Sequence, residues 1–278
     1  MNPMPSSATI HVLGSGSKGN ALLLETAGTS VLIDAGFTEP ELVRRLDGAG
    51  RTPDQIDAVL ITHAHTDHYQ PGTVRFCQRY AIPLYHCDKA ERALISGAAR
   101  LRTLRQKGLT HAFERGRPFS IGVLQVEAFE LPHDASGGNV GLDIRFAANG
   151  QERRIAIATD LGTFFTEHLR HFVDADAIVL ESNHDEQMLL ESGRPATLIE
   201  RILGDWGHLS NRQCAMALRA ILERSRPGTV RHILLAHLSE ECNLSELALR
   251  ESRLALADSG HNLKLALTFQ HKTATMSL

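Results

Sequence analysis

Short apolar runs alternate along this chain with amphipathic stretches of helical period, and glycine-rich or polar residues punctuate them. The runs at 9–13, 21–26 and 30–34 predict strands, the last two joined as a hairpin across Ala27-Gly28-Thr29. Residues 40–50 predict a helix opened by Pro40, with Leu42, Val43 and Leu46 on one face. A buried strand at 57–61 follows, then a helix at 73–80, a strand at 83–86 and one or two helices across 89–107. Strands are expected near 119–131, 140–147 and 153–159. The remainder alternates: a helix near 163–172, a strand at 177–180, helices between 186 and 203, a helix at 211–224, a strand at 230–236, a helix at 245–259 and a strand at 262–269. Early hairpins and late single crossovers predict sheets covered on their outer faces by helices, an α/β layered sandwich. No fixed-period repeat and no long Pro/Gly/Ser linker interrupts the chain, so residues 1–278 read as one domain.

Composition changes this picture little. The chain has 278 residues, 42% of them hydrophobic, which is ample for a sizeable core. A formal net charge of −3 gives no global attraction to nucleic acid or anionic lipid, so a polyanion would have to be held by a local patch or by metal. No apolar run reaches the length of a membrane span, and Met1 to Ser7 show no charged start followed by an apolar stretch. A cytoplasmic protein without a membrane partner is expected. Cys77, Cys87, Cys214 and Cys242 lack close-paired spacing and read as small core residues. The oddity is the 15 histidines.

Thr62-His63-Ala64-His65-Thr66-Asp67-His68 concentrates three imidazoles and a carboxylate within six positions, directly after the strand at 57–61. Neither helix nor strand packing asks for that density, whereas imidazole nitrogen and carboxylate oxygen together suit Zn, Mn or Fe. A His-rich surface loop is the alternative, but a buried strand feeding the run gives its ligands a rigid support. Further candidates close other predicted strands: Leu131-Pro132-His133, Ala158-Thr159-Asp160 and Leu234-Leu235-Ala236-His237. In open α/β sheets ligands collect in crevices beyond the carboxyl ends of strands.

The set His63-x-His65-x-Asp67-His68, His133, Asp160 and His237 resembles the full ligand set of the metallo-β-lactamase fold superfamily, over nearly the whole chain. The resemblance implies a four-layer αβ/βα sandwich with two divalent metal ions at one edge of the facing sheets. It implies that His63, His65 and His133 hold the first ion, that Asp67, His68 and His237 hold the second, and that Asp160 bridges them. Asp34, closing Val31-Leu32-Ile33, corresponds to an early acidic motif that braces the His loop. Four more segments resemble the YycJ/WalJ-type subgroup: 14–20 (GSGSKGN), 181–185 (ESNHD), 207–211 (GHLSN) and His237-Leu238-Ser239 with Asn243. That subgroup is associated with exonuclease-like action on DNA, which composition and spacing do not themselves indicate.

The expectation is thus a dinuclear metal-dependent phosphodiesterase acting on nucleic acid, DNA before others, with a metal-bridging hydroxide attacking in line, Asp67 orienting the water, and one metal or a protonated group such as His208 stabilising the leaving oxygen. Two alternatives stand beside it. One is another hydrolase on the scaffold, acting on RNA, a small cyclic phosphodiester, a thioester or a lactone. The other is a metal-binding regulatory protein, for which missing ligands would speak, and none is missing.

Gly14-x-Gly16-x-x-Gly19 has the form of a dinucleotide fingerprint but leads into a hairpin rather than a helix, so no nucleotide cofactor is expected. It reads as a tight loop at the metal edge, whose amides or Asn20 reach substrate. Arg100, Arg102, Arg105, Lys107, Arg115 and Arg117 read as the solvated side of a helix whose apolar face carries Leu94, Ala98, Leu101 and Leu104. Beside the metals, they would instead track a phosphate backbone. His184 and His208 read equally as core or surface histidines and as lining for a substrate cleft.

Overall fold

The strands of the described residues form two seven-stranded mixed sheets. In the first, β1 (Thr9–Gly14), β2 (Ala21–Glu25) and β3 (Ser30–Ile33) are antiparallel, and β4 (Ala58–Ile61), β5 (Leu84–Cys87) and β6 (Thr110–Phe113) continue it in parallel. In the second, β7 (Phe119–Ile121), β8 (Leu124–Leu131), β9 (Asn139–Ala148) and β10 (Gln151–Ala158) are antiparallel, and β11 (Ala177–Glu181), β12 (His232–Ala236) and β13 (Lys264–Leu267) follow in parallel. β14 (Ala274–Ser277) returns to the first sheet and pairs with β1. This computed structural model describes residues 8–97, 100–257 and 259–278. The reading of Met1 to Ser7 and the place of Ala98 on a helix face lie outside the described residues.

The helices are α1 (Glu39–Gly48), α2 (Pro71–Tyr80), α3 (Glu91–Gly97), α4 (Leu101–Gln106), α5 (Leu169–Phe172), α6 (Glu186–Leu190), α7 (Ala196–Leu203), α8 (Asn211–Leu222) and α9 (Ser245–Leu256). The period of two along β10 to β12 separates two cores. Ile155, Ile157, Ala177, Val179, Leu234 and Ala236 join the first sheet's Val31, Leu32 and Leu60 and the helix residues Leu42, Leu46 and Val74. Their alternates Ala156, Ala158, Ile178, Leu180, Ile233 and Leu235 pack with Leu218, Ile221 and Ala248 of α8 and α9. Helices, sheet, sheet and helices are therefore stacked as the four-layer αβ/βα sandwich that the resemblance implies. β3 and β4 are covered on both faces, which is why they read as unbroken apolar runs. The four cysteines are free and buried, and among the described residues no helix is long and apolar enough to cross a membrane.

The helix expected at 163–172 is shorter, a 3-10 turn at Thr166–His168 leading into α5. Its upstream backbone is engaged elsewhere: Leu161 N–H donates to Glu181 Oε2 and Gly162 N–H to the Pro132 carbonyl. β6 and β14 were not expected. Both are partly exposed edge strands with polar positions, so no apolar alternation announces them.

Candidate metal centre

Six strands end at one edge of the sandwich, and each ends in or is followed within two residues by an acid or an imidazole: Asp34 after β3, His63 after β4, His133 after β8, Asp160 after β10, Glu181 closing β11 and His237 after β12. Asp34, Asp160 and His237 adopt left-handed backbone, with φ of 58°, 61° and 57°. Such a conformation costs a residue with a Cβ about 1–3 kcal/mol, and three of the six non-glycine positions showing it among the described residues lie here, so backbone strain gathers at this edge. The His loop lies close against Gly36, where a Cβ would meet the Asp67 carbonyl oxygen at 1.7 Å.

At this edge the ligating atoms fall into two groups that carry the seven expected ligands, and a third, Asp160, Glu181, His208 and His237, overlaps the second at Asp160 and His237. His63, His65 and His133 form the first, their donor atoms mutually within 4.8 Å. Thr62 Oγ1 donates to Asp34, so it can only accept from His63 Nδ1, 3.0 Å away. The free Nε2 of His63 is then left buried with no partner. His133 Nδ1 donates to the Gly207 carbonyl at 3.0 Å, leaving its Nε2 3.2 Å from His65 Nδ1. Burial holds all three imidazoles below their ordinary range, that is, in the neutral form that binds metal.

Asp67, His68, Asp160 and His237 form the second group. His68 Nδ1 donates to Asp34 Oδ2 and His237 Nδ1 to Glu181 Oε1, both at 2.8 Å. Each bond fixes a tautomer and turns Nε2 toward Asp160, at 3.0 and 3.4 Å, and toward Asp67, at 3.5 and 3.4 Å. Asp160 Oδ1 also lies 4.0 Å from His133 Nε2, so this carboxylate stands between the groups. Burial would neutralise Asp160, but His237 and His68 beside it hold it well below the usual carboxylate range. In turn, burial works against charge on His237, and Asp160, Asp67 and Glu181 still push it up to about 10. The centre calls for positive charge, and donor atoms of this type, with a buried unpartnered nitrogen, fit divalent metal.

The structure redistributes the other expected residues. Asp34 accepts from His68 Nδ1 and from the Thr62 hydroxyl. Asn20 is buried and its amide faces Asp67 and His68, with Nδ2 2.9 Å from His68 Nε2, so it lies under the His loop rather than out toward substrate. His184 is fully buried with neither ring nitrogen partnered, and burial lowers it to about 4. It lines no open cleft. His208, by contrast, stands beside the second group, 3.7 Å from Asp160 Oδ1, with its side chain 21% exposed. In the basic stretch, Arg105, Arg115 and Arg117 pair with Glu91, Glu130 and Glu114, and Leu101 and Leu104 form the buried face of α4. Glu181 escaped the reading as a functional group, although it closes the apolar run Ala177-Ile178-Val179-Leu180 by the same rule that marked Asp160. Its Oε1 accepts from both His208 Nδ1 and His237 Nδ1 at 2.8 Å.

Comparison with known proteins places this arrangement. A family profile described as "Beta-lactamase superfamily domain" matches residues 29–233. The chain is 32% identical over 252 residues to the exodeoxyribonuclease WalJ of Streptococcus pneumoniae serotype 2, covering 90% of this chain and 89% of that protein. It is 31% identical over 250 residues to the exodeoxyribonuclease YycJ of Bacillus anthracis, with the same coverage of 90% and 89%. Among solved structures, the metallo-beta-lactamase fold protein YhfI of Bacillus subtilis superposes with a TM-score of 0.66 at 15% identity, over 96% of this chain and 99% of that one.

Proposed function

The chain belongs to the beta-lactamase superfamily, and from that premise we propose that it is a metal-dependent exodeoxyribonuclease using two divalent ions, with Zn, Mn and Fe all suited to the donor set. The observation that supports the two-metal reading is the joining of two ligand groups at one buried carboxylate, Asp160. The choice of DNA rests on the relatives, which match this chain along nine-tenths of its length and are exodeoxyribonucleases.

In this reading His63, His65 and His133 hold one ion, Asp67, His68 and His237 the other, and Asp160 both. When bound, ions held by these residues would supply Lewis acidity and lower the pKa of water. The remaining work falls to side chains of the chain itself. Asp67, partly exposed at the mouth of the centre, orients the attacking water. His208 anchors Nδ1 on Glu181 and keeps its side chain partly exposed. Burial works against charge on this ring, yet the Glu181 carboxylate holds it above the ordinary imidazole range, ready to give a proton to the departing sugar oxygen.

The test is to purify the protein, measure bound metal, and compare cleavage of 5′-phosphorylated duplex DNA, single-stranded DNA, RNA and an aryl phosphodiester. Metal-dependent removal of nucleotides from DNA ends is expected. Absence of cleavage on every nucleic acid, or action on RNA alone, overturns the proposal. His208→Ala should lower kcat on DNA while leaving metal content intact, because this reading gives the ions seven other ligands and anchors His208 on Glu181. Loss of metal in that variant would mean that the ligand assignment is wrong.

A further inference from the structure

Three aromatic side chains are exposed among the described residues, Phe165, Trp206 and Phe269, and two of them line one cavity of about 380 Å³. Trp206 is 58% exposed and Phe165 40%. The cavity floor is Phe129, stacked on His171 at 3.9 Å, and Pro132 closes one side. Both walls adjoin a metal-binding residue. Pro132 precedes His133, and Trp206 precedes Gly207, whose carbonyl holds His133 Nδ1. The loops bearing them are tied together, Asp134 N–H donating to the Trp206 carbonyl at 3.1 Å.

The polar lining selects a ligand. Glu167 and Asp205 bring carboxylates to a lining shared with Arg170, His168 and His171, the third carboxylate, Glu130, being paired with Arg115, so the amino edge of a base finds acceptors there. Large exposed aromatic surface in a concave site of this size matches a flat heterocycle, since any base offers a face to stack on. We infer that this cavity is a nucleobase subsite: an unpaired base of the strand being cut stacks on Trp206 and Phe165 while a neighbouring phosphate occupies the metal edge. The inference rests on the nuclease reading and deepens it. A base can enter only after leaving its own stack and pair, so the enzyme works on a frayed or single-stranded end.

The experiment couples a protein change to a substrate change. Single-stranded DNA carrying one abasic residue, stepped through the positions flanking the cut, is compared with the intact strand on wild-type enzyme and on Trp206→Leu, both metal-loaded. At one position the abasic residue should raise KM for wild type by roughly five- to a hundredfold, the range of one base–aromatic stack, and Trp206→Leu should raise KM on the intact strand equally. The two penalties should not add. Because Trp206 is the chain's single tryptophan, its fluorescence in the unmutated protein should also be quenched by the intact strand and not by the abasic one. Cleavage with penalties that simply add, or with no tryptophan response, overturns the subsite and leaves the nuclease reading standing. Absence of DNA cleavage overturns the nuclease reading and the subsite with it.

Discussion

Asp143 on β9 and Asp160 after β10 are both buried aspartates of the second sheet with histidines beside them, and they are charged in different ways. At Asp143, Arg154 donates from Nε to Oδ1 at 2.8 Å and from Nη2 to Oδ2 at 2.6 Å. His171 Nδ1 is 3.4 Å away, and the other ring nitrogen accepts from Arg170 Nε at 3.0 Å. By distance alone Glu127, Asp143 and His171 form a metal-like group. At Asp160, every ion pair made by Asp34, Asp67, Asp160 and Glu181 among the described residues is with an imidazole. The lesson is that proximity of acids and histidines does not distinguish a metal site from a structural ion pair. What distinguishes it is whether a guanidinium already supplies the cation.

The sharpest way to break this contrast is to remove each aspartate. Asp160→Ala should abolish turnover on DNA and cost metal at both positions, measured by elemental analysis, whereas Asp143→Ala should keep its full metal content. Chelation is next in size. A protein freed of metal should unfold more easily, and resupplying metal at a thousand times its Kd should restore about 4 kcal/mol in denaturant unfolding. Were stability indifferent to metal, the unbalanced charge at Asp160 would have another source of compensation.

Asp143→Ala should cost about 3 kcal/mol of stability, since it leaves Arg154 without its carboxylate in a largely buried position. Its acid dependence has a definite sign. Burial works to raise Asp143, but the Arg154 fork and His171 outweigh it and hold the carboxyl well below the usual range. A folded-state value below the unfolded one stabilises fully above the ordinary aspartate value, about pH 3.9, and that contribution is lost as pH falls through the folded value. Stability curves of Asp143→Ala and wild type should therefore converge in strong acid. The smallest effect sharpens the contrast from the other side: Glu181→Gln should weaken metal affinity or activity by roughly ten- to a hundredfold, since Glu181 fixes His237 without ligating.

Legibility in the sequence followed residue type and local spacing. The His loop, His133, Asp160 and His237 could be read because each is a polar residue closing an apolar run, and β3, β4, β11 and the last half of β10 because doubly covered strands are continuous apolar runs. Glu181 obeyed the same rule yet was marked only through a segment resemblance, since a lone acid at a strand end has many structural uses. The burial of Asn20 and His184 is not legible in the sequence because burial is not a local property: whether an amide or imidazole faces solvent depends on which loop covers it. The cavity beside Trp206 could not be read at all, its walls coming from Phe129, Phe165 and Trp206, far apart in the chain.

The sequence by itself determined the chemistry available at this edge, because ligand type and strand-end position are written locally in residue identity and hydrophobic period. Only the tertiary structure decided which acids meet imidazoles without an arginine, which nitrogens lose their partners and which aromatics share a cavity. Those are relations among residues tens to hundreds of positions apart, and they exist only once the two sheets face each other and bring their strand ends to one edge.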